Sequence, residues 1–464
     1  MKKLISTNPA KNYETIGEVN VSSEIEINEK VVLANNAKDV WKTTPLSERI
    51  RIIKTISKKF EERRDEIAFL ITKETGKTIR DSKSELNRSF DYFNYYFESV
   101  EKFIQDNVMY KDEVMYKDEK SLEKIVYEPF GVAAVILPWN FPFMMFVWGV
   151  IPNLLVGNTV VMKHSELCPL TGKLIEEVIE NSDLPKGIFS EIYGDGKEGS
   201  FLLNQKIDFV WFTGSSEVGK TIYKTAASKF IKSVLEMGDS NPIIIFDNNN
   251  IDEVVKIVYQ RRFVNCGQTC SAAKRAIVHE SIYNDFLIKL KDYIESKKIG
   301  DPEKEETDIG SMISEDQLFL LETQVTDAIS KGAKILTGGK RFDKLKGAYY
   351  TPTLLTNITK DMKIWNEEVF GPVLPAISFK TEEEAIKIAN DTIYGLGGFV
   401  FSKDKKQAER VAAKIDAGTI QINLLQMKFS PNNPISGHKL SGIGKEHGKE
   451  GFQELCKIKT IYEN

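Results

Sequence analysis

The stretch PFGVAAVILPWNFPFMMFVWGVIPNLLVGNTVVM, residues 129–162, contains no charged residue. Its length would suit a membrane span, but internal prolines and asparagines divide it into pieces too short to cross a bilayer. The pattern favours a buried strand from Val132 to Leu137, a proline-rich corner, a helix from Phe143 to Leu155 and a second strand from Thr159 to Met162. Strands covered on both faces are apolar throughout, so the stretch predicts a βαβ unit.

The same alternation continues on the C-terminal side of this unit. The predicted helices are Pro169–Glu180, Ser281–Lys297 and Gln317–Ser330, and the predicted strands are Phe189–Tyr193, Ile207–Phe212, Ser233–Met237, Ile243–Phe246, Lys334–Leu336 and Val373–Ile377. Strands that alternate with helices predict an α/β fold with mostly parallel sheets that bind ligands at the carboxyl ends of the strands. We place the boundary between two α/β units near Glu236.

The N-terminal side is expected to be mostly helical for about one hundred residues, because apolar residues recur there at helical spacing. Residues 108–113 are then repeated without change as residues 114–119. A duplication this short is expected to lengthen a hairpin or loop. Ser121 to Glu128 alternates apolar and polar residues, which predicts an edge strand in an arm that pairs with another subunit.

Composition limits the classes of function. The chain has 464 residues, 41% hydrophobic and 28% charged, with a net charge of −4, which is typical of a soluble protein of several domains and gives no basic surface for nucleic acid. Four cysteines are too few for a disulfide framework, and the first residues lack the apolar run of a signal peptide, so we expect a reducing, cytoplasmic location. Cys266 and Cys270 lack the partner ligands of a zinc site, so no metal is expected.

Cys270 is the first candidate for chemistry. It lies in Gly267-Gln268-Thr269-Cys270-Ser271-Ala272-Ala273, where small residues leave room for a substrate to reach the sulfur. The thiolate is the nucleophilic form of cysteine, so a base or a cation must assist it. A buried structural thiol is the alternative interpretation of the same stretch.

Other candidates follow predicted strands. Phe212 to Gly219 opens a helix with glycines five positions apart, which suits either a dinucleotide pyrophosphate or a tight turn. Lys163 and Glu166 follow another strand; Lys163 suits a ribose or phosphate. A carboxylate at Glu166 would bind ribose hydroxyls and repel a 2′-phosphate, which favours NAD over NADP. Solvated loop charges are the alternative.

Two further polar residues suit acid–base and oxyanion chemistry. Glu236 ends an apolar strand, where desolvation would raise the pKa of its carboxyl group toward that of a neutral-pH base. Asn140 sits on the proline-stiffened corner Pro138–Pro142 as a possible oxyanion donor. A capped strand end and a turn asparagine are the alternatives.

Taken together, these motifs resemble the aldehyde dehydrogenase superfamily over nearly the whole chain. The matching segments, in order, are Pro138–Pro142, Lys163, Phe212–Ser215, Glu236–Gly238, Gly267–Cys270, Glu368–Val373 and Ser441–Glu446. The resemblance implies a Rossmann-like cofactor domain (residues 1–108 and 130–238), an α/β catalytic domain (239–440) and a β oligomerisation arm (109–129 and 452–464). It also implies a homodimer or homotetramer.

The resemblance also assigns roles to residues. Cys270 is the expected nucleophile, Glu236 the general base, Asn140 the oxyanion donor together with the Cys270 amide, and Glu446 a residue of the water or proton path. The residues expected to hold NAD, or alternatively NADP, are Trp139, Lys163, Glu166, Gly214, Ser215, Glu368 and Phe370. The implied reaction oxidises a small aldehyde to a carboxylic acid through a thiohemiacetal and a thioester.

The chain departs from the family pattern at Asp239, where a glycine is usual, and at Ser436, within the segment that usually reads Pro-Phe-Gly-Gly. A carboxylate at position 239 beside the thiolate would raise the thiol pKa, so we expect either that Asp239 points away or that activity is reduced. Cys266 is placed to form a disulfide with Cys270, and ordinary packing is the alternative.

The segment Gly267–Arg275 is similar to succinate-semialdehyde dehydrogenases, although the arginine usual six positions before the nucleophile is Val264 here. Arg262, Lys428 or Ser430 is therefore the expected partner of a substrate carboxylate. The sequence is also compatible with two other functions. One is a CoA-acylating relative, which usually lacks a glutamate at the position of Glu236, and the other is a catalytically weak binding or structural member of the fold.

Overall fold

The computed structural model describes residues 2–104, 107–109, 122–247, 250–425 and 430–463. Within these ranges the strands are β1 (Lys3–Asn8), β2 (Glu14–Asn20), β3 (Asn107–Met109), β4 (Leu122–Pro129), β5 (Val132–Ile136), β6 (Thr159–Lys163), β7 (Phe189–Ile192), β8 (Phe209–Thr213), β9 (Lys232–Glu236), β10 (Pro242–Ile245), β11 (Arg275–His279), β12 (Lys334–Thr337), β13 (Thr353–Thr356), β14 (Val373–Phe379), β15 (Gly397–Phe401), β16 (Thr419–Ile422), β17 (Gly442–Ile443) and β18 (Cys456–Glu463).

The helices of the same ranges are α1 (Glu24–Thr43), α2 (Leu46–Glu62), α3 (Arg64–Thr75), α4 (Ile79–Ile104), α5 (Pro142–Gly149), α6 (Ile151–Val156), α7 (Pro169–Glu180), α8 (Gly196–Asn204), α9 (Ser216–Ser228), α10 (Ile251–Phe263), α11 (Glu280–Glu295), α12 (Glu315–Ser330), α13 (Lys363–Asn366), α14 (Glu382–Asn390), α15 (Lys405–Ala412) and α16 (Gly448–Glu454). No helix of the described residues is both long enough and apolar enough to cross a membrane.

The first large sheet has six strands in the order β17-β9-β8-β5-β6-β7. β5 and β6 pair in parallel, and every residue of both strands is buried, so the predicted βαβ unit is confirmed. Its connection differs from the prediction, because two short helices, α5 and α6, replace the single helix expected from Phe143 to Leu155. Pro152 lies in the first turn of α6, where its missing N–H is tolerated, and the helix therefore restarts there.

The second large sheet has seven strands in the order β12-β13-β14-β11-β10-β15-β16, and only the edge pair β12–β13 is antiparallel. The last long strand of the first sheet ends at Glu236, and the second sheet begins at Pro242. The predicted α/β class with mostly parallel sheets is confirmed. The domain limits drawn from the sequence stay a prediction.

A third, smaller sheet has the order β18-β4-β3 and is antiparallel. The expectation that Ser121 to Glu128 forms an edge strand is wrong, because β4 is the central strand. Alternation of polar and apolar residues indicates which side chains lie on each face of a strand. It does not indicate whether the strand has one neighbour or two within the sheet. Most of the duplicated segment, residues 110–119, lies outside the described residues. The hairpin β1–β2 near the N-terminus was not predicted.

Candidate active site

A cavity of about 600 Å³ is lined by residues of both large sheets and of α4, α5 and α10. Cys270, Glu236 and Glu446 all line it, although they lie far apart in the sequence. The structure thus brings the predicted nucleophile and the predicted base into one enclosed space. Within the described residues, no three histidine, cysteine or acidic side chains are grouped as a metal site would require.

The segment that carries Cys270 has an unusual backbone. After α10, Asn265, Cys266 and Gly267 have φ angles of 51°, 54° and 74°. Positive φ is uncommon for side-chain-bearing residues, and strained conformations of this kind cluster at functional sites. The side-chain Nδ2 of Asn265 donates to the carbonyl oxygen of Asn140 at 2.9 Å and to that of Gln268 at 3.2 Å, which holds the turn in place.

Cys270 is partly exposed to the cavity. Burial raises the pKa of its thiol to about 12, while the positive charge of Lys274 and the backbone N–H of Ser271 act to lower it and the nearby Glu368 and Glu236 carboxylates raise it further. The thiol is therefore protonated at neutral pH in this state. A nucleophilic thiolate requires a base in the cavity or an added positive charge.

Glu236 ends β9 and is buried, and its Oε1 has no hydrogen-bond partner among the described residues. Burial raises the pKa of Glu236 well above its ordinary range, the Glu446 and Asp239 carboxylates add to the rise, and the Gly437 N–H opposes it. Burial likewise raises the pKa of Glu446 to about 8. Two buried carboxyl groups in one cavity disfavour double ionisation, so the pair retains a proton near neutrality.

Asn140 is buried beneath the Cys270 segment, and its side-chain nitrogen donates to the carbonyl oxygen of Gln268 over 3.2 Å. The next residue, Phe141, contributes to the cavity wall. Asn140 itself is not part of the cavity lining, so the structure places it in the framework of the nucleophile turn, next to the cavity wall.

The candidate cofactor residues lie along the carboxyl ends of parallel strands. β6 ends at Lys163, which is buried, and its Nζ donates to the carbonyl oxygen of His164 over 2.9 Å. Glu166 is exposed, with a carboxylate oxygen 3.7 Å from the Lys163 Nζ. A lysine and a carboxylate at the same strand end form the arrangement expected for ribose hydroxyls.

Gly214 and Ser215 connect β8 to α9. The Gly214 N–H donates to the carbonyl oxygen of Glu236 over 3.0 Å, and the Ser215 hydroxyl caps α9 by accepting from the Val218 N–H over 3.3 Å. The Thr213 hydroxyl beside them is buried without a partner among the described residues. A helix start that follows a strand, next to an unpartnered hydroxyl, suits a phosphate-bearing ligand.

The remaining candidate cofactor residues are Trp139, Glu368 and Phe370. Trp139 and Phe370 meet edge to face with ring centroids 5.5 Å apart, and Glu368 forms an ion pair with Lys274. A Cβ atom at Gly238 would overlap the Glu368 carboxylate, so a larger residue there would require this carboxylate to move. Together with the unpartnered Thr213 hydroxyl, these residues fit a dinucleotide.

Of the three predicted substrate residues, the two that the structure describes, Arg262 and Ser430, do not line the cavity. Arg262 is fully buried, and its guanidinium donates to the carbonyl oxygens of Val373 at 2.8 Å, Val369 at 3.0 Å and Gly371. It braces the loop that carries Glu368, which corrects its assignment to a substrate carboxylate. Ser430 does not line the cavity, although Pro431 does. Lys428 lies outside the described residues.

The neighbouring Arg261 does line the cavity and was missed. Ile257, Gln260 and Arg261 of α10 line it together with Val264, the residue that follows the helix, at positions i, i+3, i+4 and i+7. This helical spacing is visible in the sequence and could have selected Arg261, because Val264 lies only six residues before the nucleophile.

The two departures from the family pattern also have defined positions. Asp239 is buried outside the cavity lining, where it accepts from the Gly397 N–H at 3.0 Å and the Ser441 hydroxyl at 3.3 Å. It points away from Cys270.

The Ser436 hydroxyl donates to the carbonyl oxygen of Gly444 at 3.0 Å. Cys266 is a free thiol in the core of the second sheet, so ordinary packing describes it and no disulfide with Cys270 is formed.

Known proteins resemble this chain over nearly its whole length. Residues 2–461 match the profile of the aldehyde dehydrogenase family. The chain is 36% identical over 460 residues to the betaine aldehyde dehydrogenase of Bacillus subtilis, a match that covers 98% of this chain and 92% of that relative. It is 34% identical over 451 residues to the NADP(+) succinate-semialdehyde dehydrogenase of Deinococcus radiodurans, covering 97% of this chain and 92% of that relative.

A crystal structure of betaine aldehyde dehydrogenase from Staphylococcus aureus in complex with NAD+ has the same fold. It superimposes with a TM-score of 0.94 at 36% identity, covering 100% of this chain and 92% of that chain. The chain belongs to the aldehyde dehydrogenase family, whose reaction is the NAD(P)-dependent oxidation of an aldehyde.

Proposed function

We propose that this chain oxidises an aldehyde to the free carboxylic acid, with Cys270 as nucleophile and Glu236 as base. The observation that carries the proposal is that both side chains line one cavity, next to a strand edge that fits a dinucleotide. The presence of Glu236 favours hydrolysis by water over transfer of the acyl group to CoA.

Four residues have separate roles in the proposed reaction: Cys270, Glu236, Asn140 and Glu446. Glu236 accepts the thiol proton, and the Cys270 sulfur forms a bond to the aldehyde carbon, which gives a thiohemiacetal oxyanion. Asn140 and the Cys270 N–H donate hydrogen bonds to this oxygen. NAD(P), when bound, supplies the acceptor for the hydride that leaves the carbon. Glu236 passes the thiol proton by way of Glu446 to solvent and becomes a carboxylate again. It then deprotonates water, whose oxygen attacks the thioester; the C–S bond breaks, the sulfur leaves as the thiolate and the acid is released.

The proposed cofactor site contains Trp139, Lys163, Glu166, Gly214, Ser215, Glu368 and Phe370, with Glu368 on the nicotinamide ribose. We propose NAD as the preferred cofactor, because the exposed Glu166 carboxylate would repel a 2′-phosphate. Succinate semialdehyde is the proposed substrate, supported by the Gly267–Arg275 segment and by the relative from Deinococcus radiodurans.

The catalytic assignment is tested with two variants. We expect Cys270→Ala to abolish reduction of the cofactor while cofactor binding, followed by fluorescence titration, is retained. Glu236→Gln is expected to release reduced cofactor more slowly than the wild type, because the thiol loses its base, and to stall after about one equivalent, with a thioester on Cys270 visible by mass spectrometry. Unchanged steady-state turnover of Glu236→Gln would refute the base assignment.

The cofactor preference is tested by Glu166→Ser. Removal of the carboxylate is expected to raise kcat/KM for NADP relative to NAD by about tenfold, since one lost charge repulsion is worth on the order of 1–2 kcal/mol. Glu180→Ser, at the exposed end of α7, is the matched control. An unchanged ratio in Glu166→Ser contradicts the role of Glu166.

We also propose that the sheet β18-β4-β3 joins two copies of the chain. Ile458 and Tyr462 are 63% and 70% exposed, and they share one face of β18 because they are four residues apart in a strand. Exposed apolar side chains on one sheet face are typical of a protein interface.

A further inference from the structure

Arg261 occupies an unusual position for a cation. It lies in the last turn of α10, is only 2% exposed, and lines the same cavity as Cys270. Burial alone lowers the pKa of its guanidinium to about 10, and no acidic group among the described residues acts against this. A buried cation without a counter-ion is energetically unfavourable unless a ligand supplies the negative charge.

The guanidinium is held in place by neutral groups. Its Nη1 donates to Gln421 Oε1 at 2.9 Å and its Nη2 to the carbonyl oxygen of Leu424 at 2.7 Å. It also stacks 4.4 Å from the ring centroid of Phe399. The Nε has no partner in the described part of the chain. The side chain is therefore fixed in orientation and retains N–H groups for a further acceptor.

The two other buried arginines near the nucleophile differ from Arg261. Arg262 and Arg275 each donate to three backbone carbonyl oxygens, and neither lines the cavity. These contacts give Arg262 and Arg275 a structural role, although Arg262 Nη1 also has no partner in the described part of the chain. Arg261 donates two hydrogen bonds and, of these three arginines, is the one that lines the cavity.

We propose that Arg261 binds the anionic end of the substrate, so that the enzyme selects short aldehydes with a terminal carboxylate. This rests on the proposed function, because it places the aldehyde carbon at Cys270. Planar guanidinium N–H pairs match carboxylate oxygens in geometry and charge. Asp81, Arg88 and Asp91 also line the cavity, but they are partly or fully exposed. Water screens their charges more strongly than that of Arg261.

The first test compares substrates of matched length. The wild type, Arg261→Gln and Arg261→Lys are assayed with succinate semialdehyde and with butanal, which lacks the carboxylate, and betaine aldehyde serves as a cationic aldehyde. We expect the wild type to favour succinate semialdehyde. Arg261→Gln is expected to lower the ratio of kcat/KM for succinate semialdehyde over butanal by about 10- to 100-fold, the usual effect of a charged hydrogen bond.

Arg261→Lys keeps the positive charge but loses the planar pair of guanidinium N–H groups. Its ratio of kcat/KM for succinate semialdehyde over butanal is therefore expected to lie between those of the wild type and Arg261→Gln. Preference of the wild type for butanal or betaine aldehyde would overturn the proposal, as would a ratio that Arg261→Gln leaves unchanged. Melting temperature and cofactor binding are measured for each variant as tests of folding. If Arg261→Gln does not fold, the same kcat/KM ratio is compared between Arg261→Lys and the wild type, and an unchanged ratio overturns the proposal.

A second test does not require turnover. Calorimetry measures binding of succinate semialdehyde to Cys270→Ala and to Cys270→Ala/Arg261→Gln, since neither protein can form the thiohemiacetal. We expect a Kd about 10- to 100-fold weaker in the double variant. Equal Kd values overturn the role of Arg261. Absence of activity with all three aldehydes and both cofactors would instead overturn the proposed function, while the calorimetry still decides whether Arg261 binds the carboxylate.

Discussion

Cys270 and Lys274 show how single charges control the thiol. Lys274 is almost fully buried, forms an ion pair with Glu368 and lies 5.1 Å from the centroid of the Phe370 ring. Its charge lowers the pKa of Cys270, whereas the Glu368 carboxylate raises it. A ligand that engages the Glu368 carboxylate would leave the lysine charge less compensated and so favour the thiolate.

Asp239, also at the residue scale, leads to a prediction about stability. Burial raises its pKa from 3.8 to about 6, against the opposing effects of Lys274 and neighbouring N–H groups. A carboxyl group whose pKa is higher in the folded than in the unfolded chain binds its proton more tightly in the folded state. Its contribution to stability is therefore complete below the unfolded pKa and is lost as the pH rises through the folded pKa of about 6. For Asp239 the lost contribution amounts to about 3 kcal/mol.

Asp239→Asn is therefore expected to gain stability relative to the wild type as the pH rises from 4 to 8. The difference in unfolding free energy should change by about 2–3 kcal/mol in favour of the variant across this range. Urea denaturation of both proteins at each pH measures it. A difference that stays constant with pH would show that Asp239 does not ionise within the fold as described.

At the scale of elements, the turn after α10 determines where the nucleophile lies. Three consecutive positive φ angles bring Cys270 out of the helix direction and toward the cavity. Asn265 tolerates the left-handed region better than most residues, and Gly267 tolerates it without strain. The turn packs directly against the backbone of Gly371, in the loop that carries Glu368.

Gly267→Ala tests this close packing. A Cβ atom at Gly267 would overlap the carbonyl oxygen of Gly371, and φ is 74° there, so the turn must shift. We expect kcat/KM to fall at least about 100-fold, since a displacement near 1 Å of a reacting group has effects of this order. Steady-state assays of cofactor reduction measure the loss.

Gly332→Ala is the matched control for the Gly267 variant. Gly332 also has a positive φ, of 99°, but no atom lies within 4 Å of the position that its Cβ would occupy. This substitution is expected to cost about 1–2 kcal/mol of stability from the backbone alone and to leave kcat/KM near that of the wild type. Equal effects of the two substitutions on activity would contradict the packing argument.

At the scale of the whole molecule, the third sheet predicts the state of assembly. The proposed interface implies that the wild type has a mass that is a multiple of 52.6 kDa. Ile458→Asp would place a charge on the face shared with Tyr462, and we expect the mass to fall toward that of one chain. Size-exclusion chromatography with light scattering measures this, and Lys457→Asp, on the opposite face, is the control. A monomeric wild type would contradict the proposal.

The sequence by itself determined the local elements and the family. Uncharged apolar runs predicted β5 and β6, and the helix Pro169–Glu180 is observed with the predicted limits. Both depend on the residues of one segment, because burial on two faces requires a continuous apolar run and a helix repeats every 3.6 residues. The order of the motifs was sufficient to indicate the aldehyde dehydrogenase family.

Tertiary structure alone decided which side chains reach the cavity. Two adjacent arginines look equivalent in the sequence, yet Arg261 lines the substrate space and Arg262 braces a loop 107–111 residues away. Asp239 points away from Cys270, and β4 is central in its sheet. The positions of these side chains and of β4 depend on contacts between segments that are distant in the sequence. A buried polar side chain turns toward the hydrogen-bond partners that such segments supply.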